Sequence, residues 1–334
     1  MIEKFLNLTI EKEASDLHLS ANNIPTIRVD GALNKIGCKK SDSDFVNDSA
    51  KKLLPEEKFK IFSNGNEVDH CFLYRNNYRF RINCFHNIHG SSISFRCLDN
   101  NIKSLDDIMA PKIFKDLCQL KNGLVIVSGM TGSGKSTTLA AMIEHINLNN
   151  QKHIISIEDP IEYIHESDKS LIEQIEIGRN SKSFAHALKH AMRQDPDIIL
   201  IGEIRDLETM QLALTAAETG HLVFTTLHTN SAYQSINRII DVFPENDKNT
   251  IRSMLSMSLE GVICQKLVRK KTGGRCAAFE IMIPNAAIKN LIRTNAIHNI
   301  NSSIETGSKS GMISMKNYLQ KLVNQNIVDP VNAF

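Results

Sequence analysis

The stretch Gly129-Met130-Thr131-Gly132-Ser133-Gly134-Lys135-Ser136 constrains this chain more than any other. It satisfies the phosphate-loop pattern G-x-x-x-x-G-K-[ST] at every fixed position. Its glycines allow the backbone to take positive φ and to approach a ligand closely. Successive N–H groups can then turn inward around a phosphate chain. Lys135 supplies a positive charge for the β- and γ-phosphates, and Ser136 a hydroxyl for Mg²⁺. Thr137, the next residue, is counted with this nucleotide-binding set. The flanks decide against a chance glycine turn. Leu124-Val125-Ile126-Val127 reads as a buried parallel strand, and Leu139, Met142, Ile143 and Ile146 fall on one face of a helix. A helix starting beneath the loop adds a dipole that favours an anion.

The same grammar recurs downstream. His153 to Ile157, Asp197 to Ile201 and Leu222 to Leu227 are apolar runs that end in polar residues, with helical stretches between them. Such alternation predicts an α/β domain with a mainly parallel sheet, and ligands of these sheets bind outside the carboxyl ends of the strands. The residues at those ends are the phosphate loop, Glu158, Asp159, Glu203 and His228. Hydrolysis of a nucleotide needs a metal bridging phosphate oxygens and a group that orients water. Glu203 is the candidate for the water. Glu158 and Asp159 are the candidates for Mg²⁺, since Gly202 stands where a strand-end acid is usual. His228 is placed to sense the γ-phosphate. Asp159 and Asp206 have a second reading as helix N-caps.

Residues 1–99 read as a separate α+β domain, 100–110 as a linker, and 111–334 as the nucleotide domain with further helices. Thr26 to Gly31 is expected to be a strand ending in a turn, and Ser49 to Phe62 to be helical. The lone His18 is read as structural. Tyr78, Phe80, Ile82 and Cys84 alternate with polar residues, as do Ile93, Phe95 and Cys97, so a half-buried hairpin is expected. A symmetric turn would set Arg81 opposite Arg96. Like charges so placed repel, and an anion would relieve them; two solvated surface arginines are the alternative. Ile251, Met254, Leu255, Leu259, Val262 and Ile263 read as the packing stripe of a helix, and Lys266 to Arg275 as a basic hairpin.

Composition sets limits. The chain has 334 residues with 42% hydrophobic, 23% charged and a net charge of +2, ordinary for a globular protein and modest for one that coats nucleic acid. The seven cysteines contain no C-x-x-C pair, so reduced thiols are expected and not a zinc ribbon. The N-terminus lacks the apolar core of a signal peptide, and no run reaches the ~20 apolar residues of a membrane span. A cytoplasmic protein is the expectation.

At this point the residues support a family. Ala14-Ser15-Asp16-Leu17-His18-Leu19, Gly129 to Ser136, Glu158-Asp159-Pro160-Ile161-Glu162, Asp195 through Asp206 and Thr219 through Thr229 each match a motif of the type II/IV secretion ATPases. The chain resembles that family from Ala14 to about Gly311, and within it the branch that retracts type IV pili. The resemblance implies a PAS-like N-terminal domain and a RecA-like ATPase domain, assembled as a homohexamer. It implies ATP bound between the two domains, with N-terminal arginines reaching it, which favours a nucleotide role for Arg81 and Arg96. It further implies Mg²⁺-dependent hydrolysis that drives pilus disassembly and twitching motility through an inner-membrane platform protein, with no nucleic acid involved. The chain would then sit at the cytoplasmic face of that membrane through its partner. Two motifs depart: Ala287-Ile288-Lys289-Asn290-Leu291-Ile292-Arg293-Thr294 stands where the retraction branch has Ala-Ile-Arg-Asn-Leu-Ile-Arg-Glu, and Gly311-Met312-Ile313-Ser314-Met315-Lys316 only loosely follows its Gly-Met-Gln-Thr-Leu-Asp. Rival readings are a secretion motor, a nucleic-acid translocase and a scaffold that binds ATP without turnover.

Overall fold

The computed structural model describes residues 2–29, 31–75, 78–98 and 101–333. Two compact units divide between Asn101 and Ile102. Asp30, expected at the end of a strand, and Asp99 and Asn100, at the start of the expected linker, lie outside the described residues.

The first unit carries three helices, α1 (Ile2–Glu11), α2 (Ser43–Leu53) and α3 (Glu56–Ser63). Its strands are β1 (Asp16–Ser20), β2 (Thr26–Val29), β3 (Ala32–Lys35), β4 (Val68–Tyr74), β5 (Tyr78–Asn87) and β6 (Gly90–Leu98), in the order β3-β2-β1-β6-β5-β4. All pairs are antiparallel. One face is apolar: Leu17, Leu19, Ile27, Phe80, Ile82 and Phe95 pack against Leu6, Val46, Ala50 and Phe62 of the helices. The expected single helix over Ser49 to Phe62 is two helices. Pro55 forces Leu54 out of the α region, and its own fixed φ then begins α3.

In the second unit α4 (Ile113–Leu117) precedes β7 (Gly123–Ser128), α5 (Lys135–Asn149), β8 (His153–Glu158) and β9 (Leu171–Glu176). Then come α6 (Phe184–Ala191), β10 (Ile198–Ile201), α7 (Leu207–Glu218), β11 (Leu222–Leu227), α8 (Ala232–Asp241) and α9 (Lys248–Ser258). The chain closes with β12 (Leu259–Arg269), β13 (Arg275–Met282), α10 (Ala286–Arg293), α11 (Ile300–Thr306), α12 (Met315–Asn324) and α13 (Pro330–Ala333). The seven-stranded sheet runs β13-β12-β7-β11-β10-β8-β9, and every neighbouring pair except β12–β13 is parallel. The expected α/β class with a mainly parallel sheet is what the chain forms.

β7, β10 and β11 are buried along their whole length, which explains their unbroken apolar runs. The stripe from Ile251 to Ile263 is not one helix. It ends at Ser258, and Leu259, Val262 and Ile263 belong to β12 beside β7. A strand buried on both faces is apolar at both parities, so the spacing imitated a helix. Gly261 lets β12 come close to α4: a side chain there would meet Leu117 at 3.1 Å.

Two apolar cores flank this sheet. In one of them Phe279 stacks edge-on with Phe114 at 5.0 Å and with Tyr318 at 5.4 Å, tying β13 to α4 and α12. Phe279→Ala should lower stability by about 3–5 kcal/mol, because the pocket cannot collapse around three elements. A melting curve that shifts by less than a degree would contradict this placement.

Candidate functional site

β7 ends at Ser128, and the loop that follows reverses through glycines at positive φ: Gly129 at 148°, Gly132 at 78° and Gly134 at 89°. α5 begins at Lys135, directly after Gly134. Gly129 has no room for a side chain, because a Cβ there would lie under 3.0 Å from the Gln265 carbonyl and Ser133 Oγ. Lys135 is buried, and its Nζ donates to Gly129 O at 2.8 Å and Met130 O at 3.2 Å. Burial pulls the Lys135 pKa down, and Glu203 and Glu162 act against that pull. Met130, Thr131 and Gly132 are exposed at the rim. Thr137 Oγ1 shares a hydrogen bond of 2.9 Å with Tyr163 Oη.

The sheet order puts the ends of β11, β10 and β8 in a row beside the end of β7. His228 follows β11, Gly202 and Glu203 follow β10, and Glu158 closes β8. Ser136, Glu158, Tyr163, His165, Gly202 and Thr226 line a cavity of about 40 Å³. Leu139, Ala140 and Leu200 complete its wall, and a cavity of that size with polar groups on one side has room for a water. Glu158 Oε1 accepts from Ser156 Oγ at 2.8 Å and from Gln174 Nε2 at 3.3 Å. Burial nevertheless pushes the Glu158 carboxyl up to about 7, outweighing those hydrogen bonds. Gly202 now has a reason. A side chain there would meet Ile157 O at 3.3 Å and Glu158 Cα at 3.4 Å. Glu158 of the neighbouring strand lies against that strand end, its Cγ 3.5 Å from the place of a Cβ on Gly202.

Glu203 is held on two sides. Arg205 Nη2 donates to its Oε1, and His228 Nε2 lies 3.6 Å from its Oε2. Arg205 Nη1 also reaches Asp159 Oδ2 at 3.9 Å, so one guanidinium spans two acids. Asp206 caps α7, accepting from Thr209 N at 2.8 Å, whereas no helix follows Asp159. Behind the site, Ser128 Oγ and Thr229 Oγ1 are 2.6 Å apart, and Thr229 Oγ1 and Ser235 Oγ also 2.6 Å. These hydroxyls lock the turn after His228 to the strand that feeds the loop.

The loop, Glu158, Asp159, Glu203 and His228 therefore share one edge of the sheet. Arg81 and Arg96 belong to the first unit, where they stand opposite each other in register as expected. Their repulsion is offset within that sheet. Arg81 Nε is 3.7 Å from Asp69, and Arg96 Nε 3.2 Å from Asp16, which also faces Arg28 at 3.8 Å. An anionic ligand is not needed to relieve the pair. His18 Nδ1 pairs with Ser94 Oγ at 3.1 Å, a structural role. Arg205, Tyr163, Gln174 and Gln265 were not singled out from the sequence. Arg205 was legible as the only cation beside Glu203 in its motif; the other three come from other strands and loops.

Hard oxygen donors suit Mg²⁺, which takes one or two carboxylates together with substrate phosphates and water. Ser136 and Glu158 on one cavity fit that pattern, with Asp159 adjacent. Among the described residues no cluster of His, Cys, Asp and Glu forms a metal cage by itself.

Comparison with known proteins gives a consistent result. Residues 1–328 match the family described as type II/IV secretion system protein. The chain is similar to a twitching motility protein of Neisseria gonorrhoeae, 48% identical over 310 residues, covering 92% of this chain and 83% of the relative. It is 45% identical over 332 residues to the type IV pilus retraction ATPase PilT of Pseudomonas aeruginosa, covering 99% of this chain and 96% of the relative. A crystal structure of the pilus retraction motor PilT with bound ADP superposes with a TM-score of 0.91 at 41% identity, covering 99% of this chain and 95% of that one.

The Glu158 environment generates a pH prediction. Its carboxyl is raised from 4.5 to about 7, so across that window the folded chain holds a proton that the unfolded chain has released. Stability of the nucleotide-free protein should therefore fall as pH rises through the window. Glu158→Gln should flatten that part of the melting-temperature profile; parallel profiles for the two proteins would refute the assignment.

Proposed function

Because the chain belongs to the type II/IV secretion system protein family, we propose that it is an ATP-hydrolysing motor that powers type IV pilus retraction and twitching motility. The observation that carries this reading is the row of strand ends that sets Lys135, Ser136, Glu158, Glu203 and His228 along one edge of a parallel sheet. Loop N–H groups and Lys135 hold the phosphates of ATP. Lys135 gives up the carbonyls of Gly129 and Met130 for phosphate oxygens, exchanging neutral acceptors for charged ones. Ser136, Glu158 and Asp159 would hold Mg²⁺, which would neutralise charge on the phosphates. Glu203 orients the attacking water and takes its proton. It can do so only when Arg205 releases it, since the guanidinium occupies its Oε1. His228, beside Glu203, registers whether the γ-phosphate is present.

Arg81 and Arg96 are the arginines that would reach a bound nucleotide, each exchanging its acid, Asp69 or Asp16, for a phosphate. The working assembly is a homohexamer at the cytoplasmic face of the inner membrane, coupled to the platform protein of the pilus. Among the described residues no helix is long and apolar enough to cross a membrane, which fits attachment through that partner. In the altered retraction motif Lys289 pairs with Glu260 at 3.0 Å, so the lysine keeps an ion pair at the start of β12.

Steady-state ATPase measured against protein concentration tests the reading. Lys135→Ala should abolish turnover. Glu203→Gln should retain ATP binding and lose about 10²–10⁴-fold in kcat, the range for a general base. Near-normal turnover of Glu203→Gln would remove that residue from its role. A deletion strain that still retracts its pili would place the motor in another system.

A further inference from the structure

We propose that Gln265 is a positioning residue for the nucleotide, shaping the phosphate loop from the neighbouring strand before a ligand arrives. This rests on the reading that the loop holds ATP. In the parallel pairing of β12 with β7, Cys264 stands beside Ser128, so residue 265 falls where β7 turns into the loop. Gln265 is 3% exposed, and its Nε2 donates to Ser133 O at 2.7 Å, across a sequence separation of 132 residues. The amide orientation is fixed, because a carbonyl accepts only from the nitrogen end.

Gln265 touches both ends of the loop. Its main-chain carbonyl occupies the space a side chain at Gly129 would need, and its Nε2 lies 3.2 Å from the place of a Cβ on Gly134. Both glycines are at positive φ. In a trans peptide the carbonyl and the following N–H point in opposite directions. Holding Ser133 O toward β12 therefore turns Gly134 N–H away from β12, available to an anion as the N–H groups of such loops are.

Stability alone gives a poor account of this side chain. Gln265 Oε1 is buried with no hydrogen-bond partner, so half of the amide is desolvated for nothing in return. An apolar residue of the same length would fill the space without that burden. What it would lose is the grip on Ser133 O. Other polar arrangements fail for a clear reason: a glutamate carboxylate would set an acceptor against an acceptor.

The test uses the full-length chain, a fluorescent ADP analogue with Mg²⁺, steady-state ATPase and melting of the nucleotide-free protein. Gln265→Met should raise both the ADP Kd and the ATP KM about tenfold, the effect of one lost hydrogen bond on a preorganised site, with kcat changed far less. Its nucleotide-free melting temperature should stay close to that of the parent. Gln265→Glu supplies a readout that a structural role would not move. A buried carboxyl has a raised pKa, and only its protonated form can donate to Ser133 O. Its ADP affinity relative to that of the parent at the same pH should be poor at about pH 8 and recover at about pH 6. This pH profile carries the test even if the methionine variant folds poorly. Unchanged Kd and KM in Gln265→Met, or a pH profile of Gln265→Glu affinity parallel to that of the parent, would overturn the inference while leaving the ATPase reading intact. A parent protein that binds no ADP with Mg²⁺ would overturn both.

Discussion

The parallel pairing of β7 between β11 and β12 is the constraint on which the rest of the site depends. β7 is buried throughout, so its register is enforced from both sides by apolar contact. Where it ends, Ser128 Oγ donates to Thr229 O at 2.7 Å and Gly129 N to Leu227 O at 3.3 Å. The loop thus emerges at one fixed point relative to the turn that carries His228. On the other side β12 brings Gln265 against the same residues. A loop of small, flexible residues has little intrinsic reason to keep a strained shape. Here the shape is set by two strands it does not belong to.

Charge is arranged around that fixed point with little slack. Lys135 is buried, and its ammonium is weakened by burial and supported by Glu203 and Glu162. Glu158, two strands away in the sheet order from β11, sits where its carboxyl favours a proton. Glu203 is instead held by Arg205 and flanked by His228. The two acids at one sheet edge therefore sit in different surroundings, Glu158 buried beside Ser156 and Gln174 and Glu203 bound to a guanidinium.

The first unit handles charge differently. Arg28, Asp16, Arg96 and Arg81 lie in one cross-strand row, and Asp69 closes it beside Arg81. The acids make the sheet tolerable without a ligand, yet each ion pair is partly exposed and so cheap to exchange.

The sequence by itself determined the parallel α/β class, the phosphate loop and the carboxyl-edge residues Glu158, Glu203 and His228. Those signals are local: a buried strand, a glycine turn and a helix each write their own period over a few residues. It also placed Arg81 opposite Arg96, because a short hairpin fixes its register through its turn. The tertiary structure decided what depends on contacts between distant residues. It divided the stripe from Ile251 to Ile263 between α9 and β12, since burial on both faces erases the difference between the two periods. It added β9, half polar along an edge, which the pattern did not reveal. It gave Gly202 its purpose, the space for Glu158, and brought Gln265 to Ser133 across 132 residues. No local rule encodes such a pair, because the hydrogen bond exists only after two strands have found their register.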